Sequence, residues 1–178
     1  MKFTPFPEIN TPKLVLRKIE ESDHAVILFL RTDKTVNQYI HRPENKKIRT
    51  EAGAISFIKE INENIILQRA ITWGITLKHN PELIGTICLW NFSHNRKIAE
   101  IGYDLHPAHH QKGIMSEAMK SVLDFGFNTA GFSKIEAFTH KDNESSIKLL
   151  EKNGFRLLEN RKDEDNIHNL IFERKPPG

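Results

Sequence analysis

Three groups of residues have the types and spacing to do chemistry. The first is the run His106-Pro-Ala-His-His-Gln-Lys-Gly-Ile-Met-Ser-Glu-Ala-Met119. Its front follows the apolar-rich segment Ile98–Leu105, which reads as a strand. Its back places Met115, Ala118, Met119 and Val122 at helical spacing. Gly113 falls where the loop becomes a helix. A helix start has unpaired N–H groups and a partial positive charge, and glycine lets a ligand approach them closely. Such a junction is an anion site suited to a pyrophosphate. The second group is Asn143-Glu144-Ser145-Ser146, which opens a later helix ended by Gly154. Both helix starts follow C-terminal strand ends, where open α/β sheets bind ligands. The third is Glu100, which shares a strand face with Gly102 and Asp104, opposite Ala99, Ile101, Tyr103 and Leu105. If that face lines a cleft, partial burial raises the carboxyl pKa toward that of a useful general base. A turn glycine, a helix cap and a solvated carboxylate would explain the same residues.

These groups need a scaffold, and its elements follow in order. Residues 1–12 carry three prolines and read as an extended lead-in. Leu14, Leu16 and Ile19 begin a first strand, and Ala25 to Leu30 form a helix. Residues 32–49 are polar and irregular, either a connector or a surface that contacts substrate. Thr50 caps a second helix with Ile55, Ile58, Ile61 and Ile65 on one face. Strands at 71–78 and 83–91 form a hairpin about the turn His79-Asn80-Pro81-Glu82. After Ile98–Leu105 the pattern alternates: helix 113–128, strand 134–139, helix 143–153, strand 155–158 and a closing strand 170–173. The fold class is α/β (α+β), one domain over 1–178, with a mixed sheet of six to seven strands and about four helices.

Composition excludes several functions. The 178 residues hold 26 basic and 23 acidic side chains, a formal net charge of +3. That balance, with Lys and Arg scattered, argues against nucleic acid as a partner. No apolar run approaches a membrane span and no secretory leader is evident, so a cytoplasmic protein is expected. Cys88, the only cysteine, lies in an apolar run and reads as a buried core residue. The nine histidines show no ligand spacing, so no metal is expected.

Taken together, the stretches resemble the GNAT superfamily of acetyl-CoA-dependent N-acetyltransferases, and within it the ribosomal-protein N-terminal (alanine/serine) acetyltransferase branch. The resemblance runs nearly end to end: Thr11-Pro-Lys-Leu-Val-Leu-Arg17, Trp73-Gly-Ile75 with Leu83-Ile-Gly85, Ala99-Glu-Ile-Gly-Tyr103 with His106-Pro107, His110-Gln-Lys-Gly-Ile-Met115, and Asn143-x-x-Ser146 with Glu151-Lys-Asn-Gly-Phe155.

The resemblance implies a mostly antiparallel sheet splayed between the Ile98–Leu105 strand and the 134–139 strand, its fourth and fifth. Acetyl-CoA is the implied cosubstrate, and a primary amine on a protein N-terminus or a small molecule the acceptor. The amides of Gln111, Lys112, Gly113, Ile114, Met115 and Ser116 would cradle the pyrophosphate. Tyr103, Asp104 and Leu105 would pair with the pantetheine arm, which Asn143 would also contact. Glu100 would be the general base and Ser146 the acid that serves the departing thiolate. A homodimer is compatible with the resemblance. Three departures stand out: Leu150 replaces a common acidic Tyr, His110 replaces Gln/Arg, and Met115 replaces Gly/Ala. The segment Asn160 to Asn169, which often shapes the acceptor pocket, is short. A module that binds coenzyme A without transferring acetyl is the reading from another class.

Overall fold

The computed structural model describes residues 2–178. In chain order the elements are β1 (Ile9–Asn10), β2 (Leu14–Arg17), α1 (His24–Thr32), α2 (Glu51–Ile66), β3 (Ile71–Leu77), β4 (Asn80–Trp90), β5 (Ile98–Leu105), α3 (Ile114–Asp124), β6 (Lys134–His140), α4 (Glu144–Lys152), β7 (Arg156–Leu157) and β8 (Asn169–Arg174). They build one mixed sheet of eight strands, ordered β1-β2-β3-β4-β5-β6-β8-β7. Every neighbouring pair is antiparallel except β5 with β6.

The strand beyond the expected six to seven is β1, two residues inside the proline-bearing lead-in, where Ile9 pairs with Leu16. Its turn is tied by Thr11, whose Oγ1 accepts from the Leu14 N–H at 2.9 Å. The β3–β4 hairpin turns earlier than expected. Leu77 pairs with Asn80, and register shifts at Ile75, Thr76 and Leu77 absorb the extra residues. Leu83 and Ile84, successive residues facing opposite sides of the sheet, enter different apolar clusters.

The apolar residues sort by face. One cluster joins α3 (Ile114, Met115, Ala118, Met119, Val122) to Trp73, Ile87, Leu89, Ala99, Ile101 and Leu105 of the sheet. The other lies under α1 and α2 and holds Ile19, Ile27, Ala54, Ile58, Ile61 and Leu83. Met115 therefore fits at its position because its side chain is core. The helical segment expected over 113–128 changes form at Phe125–Thr129, which is a π turn. There Gly126 lies so close to the sheet that an added Cβ would stand 2.7 Å from Ile135 Cδ1.

One feature of the sheet governs the rest. The β5–β6 ladder has only three residue pairs, Ile98 with Lys134, Ala99 with Ile135 and Glu100 with Glu136. Beyond Glu100, β6 stays paired with β8 while β5 stays paired with β4. The sheet thus parts between β5 and β6, leaving the Ile101–Leu105 edge without a strand partner there. An unpaired edge offers a row of N–H and C=O groups to any extended ligand.

Candidate active site

The chain leaves β5 through a single 3-10 turn at Pro107–His109. His106 ties the turn: its N–H donates to the Ile84 carbonyl at 2.8 Å and its Nδ1 accepts from the Ala108 N–H at 3.1 Å. His110 Nε2 donates to the Leu105 carbonyl at 2.8 Å, so one acceptor at the end of the β5 edge is already engaged. Gln111 and Gly113 then take φ values of 59° and 74°, in the left-handed region. Such reversals turn successive N–H groups toward one concavity.

Gly113 is the N-cap of α3 and brings no capping side chain. Among the described residues the amides of Gln111, Lys112, Gly113, Ile114, Met115 and Ser116 have no protein acceptor. The first bonded amide is that of Glu117, 3.1 Å from the Gly113 carbonyl. A Cβ placed on Gly113 would meet nothing within 4 Å, so the space over these amides is open. A groove of about 480 Å³ continues from it past Thr11, Ser116, Lys120 and Lys152. Six free donors, a helix N-terminus and two lysines suit a phosphorylated ligand. A separate groove of about 270 Å³, between α1 and the start of β4, lies away from these amides. The Ser116 hydroxyl accepts from Asn153 Nδ2 at 3.2 Å, which anchors the front of α3 to the end of α4.

The far wall of the gap is α4. Asn143 is its cap: its Oδ1 accepts from the Ser146 N–H at 3.2 Å. The Ser146 hydroxyl lies 2.5 Å from the Tyr103 hydroxyl, so a side chain from β5 reaches α4 on the α3 side of the sheet. Burial pushes the Tyr103 phenol up to about 12. Tyr103, expected to act through its backbone, thus also brings its hydroxyl to the gap; the pair spans 43 residues and leaves no local signal in the sequence.

Glu100 sits on the other face, at the last rung before the strands part. Its Oε2 accepts from Asn91 Nδ2 at 3.1 Å. Burial holds its carboxyl above the usual range, and Asp163 and Glu136 nearby push the same way, against the Asn91 hydrogen bond and Arg161. Asp104, two places beyond Gly102 on this face, accepts on Oδ1 from Thr86 N at 3.1 Å and Thr86 Oγ1 at 2.6 Å. Cys88 corrects an expectation. It belongs to neither apolar cluster and is only partly buried. It lies on the polar face, its Sγ 3.1 Å from where a Gly102 Cβ would be. Alternation along β4 puts it beside Thr86 and Trp90, which pair with Asp104 and Glu100.

A model of the GNAT acetyltransferase domain matches residues 13–156. The chain belongs to the GNAT acetyltransferase family. This acetyltransferase is 35% identical over 150 residues to the uncharacterized N-acetyltransferase YoaA of Bacillus subtilis (strain 168), covering 84% of this chain and 83% of that one. A shorter stretch of 74 residues is 30% identical to spermidine N(1)-acetyltransferase of Escherichia coli (strain K12), 42% of this chain and 40% of that one. A ribosomal L7/L12 alpha-N-protein acetyltransferase, solved in complex with coenzyme A, superposes with a TM-score of 0.79 at 18% identity, over 95% of this chain and 98% of that chain. That likeness establishes the fold. Family membership makes the protein an acetyl-CoA-dependent N-acetyltransferase. Among the described residues no helix is long and apolar enough to cross a membrane.

Proposed function

We propose that this acetyltransferase moves the acetyl group of acetyl-CoA directly onto a primary amine brought to the Glu100 face of β5, and that the amine is a peptide or protein N-terminus. The observation that carries this reading is the position of Glu100. It stands at the apex of a gap whose mouth holds six unpartnered amides. The Gln111 to Ser116 amides would take the pyrophosphate. The free edge from Tyr103 to Leu105 would take the pantetheine arm, and Asn143 would meet that arm from α4. The reacting carbonyl then falls between Glu100 on one face and the Tyr103–Ser146 hydroxyls on the other.

Glu100 would accept the proton that the attacking amine must lose, directly or through one water. As the C–N bond forms and the C–S bond breaks, the thiolate needs a proton. Ser146, backed by a Tyr103 phenol that stays protonated at neutral pH, is the donor within reach of the gap. In this reading the pair takes the role of the acidic Tyr that Leu150 replaces. Positioning supplies the larger share of the rate, and base and acid about 10²-fold or more each.

The test is a thiol-release assay with acetyl-CoA and a panel of peptides and small amines. Release with peptides is expected. Turnover confined to small amines would favour the second reading, a small-molecule acceptor, which the spermidine N(1)-acetyltransferase relative supports. Calorimetric heat with acetyl-CoA but no free thiol in any arm would reduce the protein to a coenzyme-binding module. Glu100→Gln is expected to lower kcat about a hundredfold. The base works only when ionised and its carboxyl is raised, so activity falls as pH drops through a value above the usual carboxylate range. The variant should lose that acidic limb. It should also be no less stable at pH 8, because ionising a carboxyl whose folded pKa is raised opposes folding. An unchanged profile removes Glu100 from the reaction.

A further inference from the structure

Among the described residues Trp90 is the only Phe, Tyr or Trp whose side chain is exposed, at 44%. It closes β4 directly opposite Glu100. Side chains opposite one another in an antiparallel pair share a face, with Cβ atoms about 5 Å apart. The indole leans from there onto Gly102. A Cβ on Gly102 would stand 3.5 Å from Nε1 and 4.0 Å from Cδ1 of the ring, and 3.1 Å from Cys88 Sγ. The glycine is what lets the ring lie this close to β5. The lean is toward the end of β5 at which the gap opens. The next residue, Asn91, has a φ of 48° and turns its Nδ2 back to Glu100 Oε2 at 3.1 Å. Trp90 and Asn91 therefore flank the carboxylate together.

The other rings of this face have partners. Alternation along β6 puts Phe138 and His140 on the side of Glu136, the rung partner of Glu100. Arg161 lies 5.9 Å from the centre of the Phe138 ring, and His140 lies 5.2 Å from Tyr39 and 5.6 Å from His168. Among the described residues Trp90 is in no such pair. Its N–H also has no acceptor among them, whereas Trp73 Nε1 donates to the Pro7 carbonyl at 2.8 Å. A bare indole beside a reacting centre is a surface for a ligand. The coenzyme is not that ligand, because β4 lies on the far side of β5 from the gap into β6. Nor does the ring's surroundings call for a charged group. Cys88 and Gly102 beneath it bring no charge, since burial pushes the Cys88 thiol up to about 12. Glu136 is already paired with Lys134 and Arg161, at 2.8 and 2.5 Å.

We propose that the Trp90 indole sets the acceptor's specificity: the group that carries the amine lays an aromatic side chain on the indole while the amine meets Glu100. This rests on the placement of the amine proposed above, which engages Glu100 and leaves the ring for an uncharged, flat group. The reach fits. In an N-terminal phenylalanine two carbons separate the amine from the ring, and the indole begins about 5 Å from the Glu100 Cβ. The same spacing occurs in a phenethylamine, so the inference holds for a peptide or a small-molecule acceptor. Stacked or edge-on contact between the two rings favours the aromatic acceptor over one with a methyl group there.

The experiment measures kcat/KM by thiol release for amidated Phe-Gly-Gly, Ala-Gly-Gly and Arg-Gly-Gly, and for phenethylamine and ethylamine. In whichever class turns over, the aromatic acceptor should exceed its alanyl or ethyl counterpart by about tenfold. Trp90→Ala should erase that preference with the KM for acetyl-CoA unchanged, and Trp90→Phe should keep part of it. Acrylamide quenching of tryptophan emission reads the same surface without turnover. Trp73 is fully buried, so the quenchable emission belongs chiefly to Trp90, and Trp90→Phe supplies the background. Coenzyme A alone should leave quenching unchanged, and N-acetyl-Phe-Gly-Gly amide added to that complex should reduce it. Equal kcat/KM within each pair, a preference that survives Trp90→Ala, the Arg peptide leading the series, or shielding by coenzyme A alone would overturn the proposal. The parent arms decide even where a variant fails to fold. Shielding by N-acetyl-Phe-Gly-Gly amide and not by N-acetyl-Ala-Gly-Gly amide, with no thiol release in any arm, keeps this proposal and removes the catalytic one. Thiol release indifferent to the side chain, with no shielding, does the reverse.

Discussion

Helices α3 and α4 begin on the same side of the sheet, at the two walls of one gap, yet their first turns are built in opposite ways. α4 is closed by Asn143, whose Oδ1 takes the Ser146 amide. α3 is opened by Gly113, which caps nothing and leaves six successive amides without acceptors. A side-chain cap stabilises a helix by about 1 kcal/mol. α3 forgoes it and still buries Ile114, Met115, Ala118, Met119, Val122 and Leu123 in the main core. Its stability comes from that burial, so its front is free to hold unmet hydrogen-bonding capacity. Bonds left unmade on a well-packed helix mark where a ligand completes them.

The sharpest way to break this contrast is to put a capping carboxylate where the glycine stands. In Gly113→Asp the added side chain enters open space, and aspartate tolerates positive φ better than most residues. The strain costs the fold about 1 kcal/mol. A fixed negative charge at the amides would weaken coenzyme A binding by roughly a hundredfold or more. Calorimetry and a thermal melt on the same sample separate the two effects. Affinity kept within a few-fold would mean that the amides are not where the pyrophosphate docks.

Much of this contrast could be read from the sequence, and the reason is local chemistry. Thr50 and Asn143 are capping residue types at the heads of periodic segments, and both are the caps of their helices. The strand Ile98–Leu105 has the bounds its alternation predicts. What escaped depends on distant parts of the chain. β1 is two residues long and lies among prolines, too short for a period to show. β4 begins at Asn80 because a bulge lets Asn80 and Pro81 join a strand that their turn chemistry argues against. Cys88 sits in a run apolar enough to read as core, but its alternation partners are Thr86 and Trp90, on the polar face.

A smaller effect is expected at the capped wall. Asn143→Ala removes the bond to the Ser146 amide, and the fold should lose about 1 kcal/mol, a drop of roughly 2–4 °C in Tm. The same change loosens the turn that presents Ser146 to Tyr103, so kcat should fall along with stability. Ser146→Ala, which keeps the cap and removes the hydroxyl, separates the two contributions. If Asn143→Ala alters Tm alone while Ser146→Ala lowers kcat, the cap is purely structural and the hydroxyl acts without it.

The smallest effect should come from a cap far from the gap. Thr50 closes α2 with its Oγ1 3.0 Å from the Gly53 amide. Thr50→Ala should cost about the same 1 kcal/mol and lower Tm by a few degrees. α2 packs in the cluster of Ile58 and Ile61, apart from the α3 amides, so coenzyme affinity should not change. This variant matches Asn143→Ala in bond type and expected stability loss and differs in location. Equal Kd values for Thr50→Ala and the parent would tie any coenzyme effect of Asn143→Ala to the gap. A matching rise in Kd from both would mean that loss of stability alone reaches the site, and the contrast between the two helix starts would then say nothing about binding.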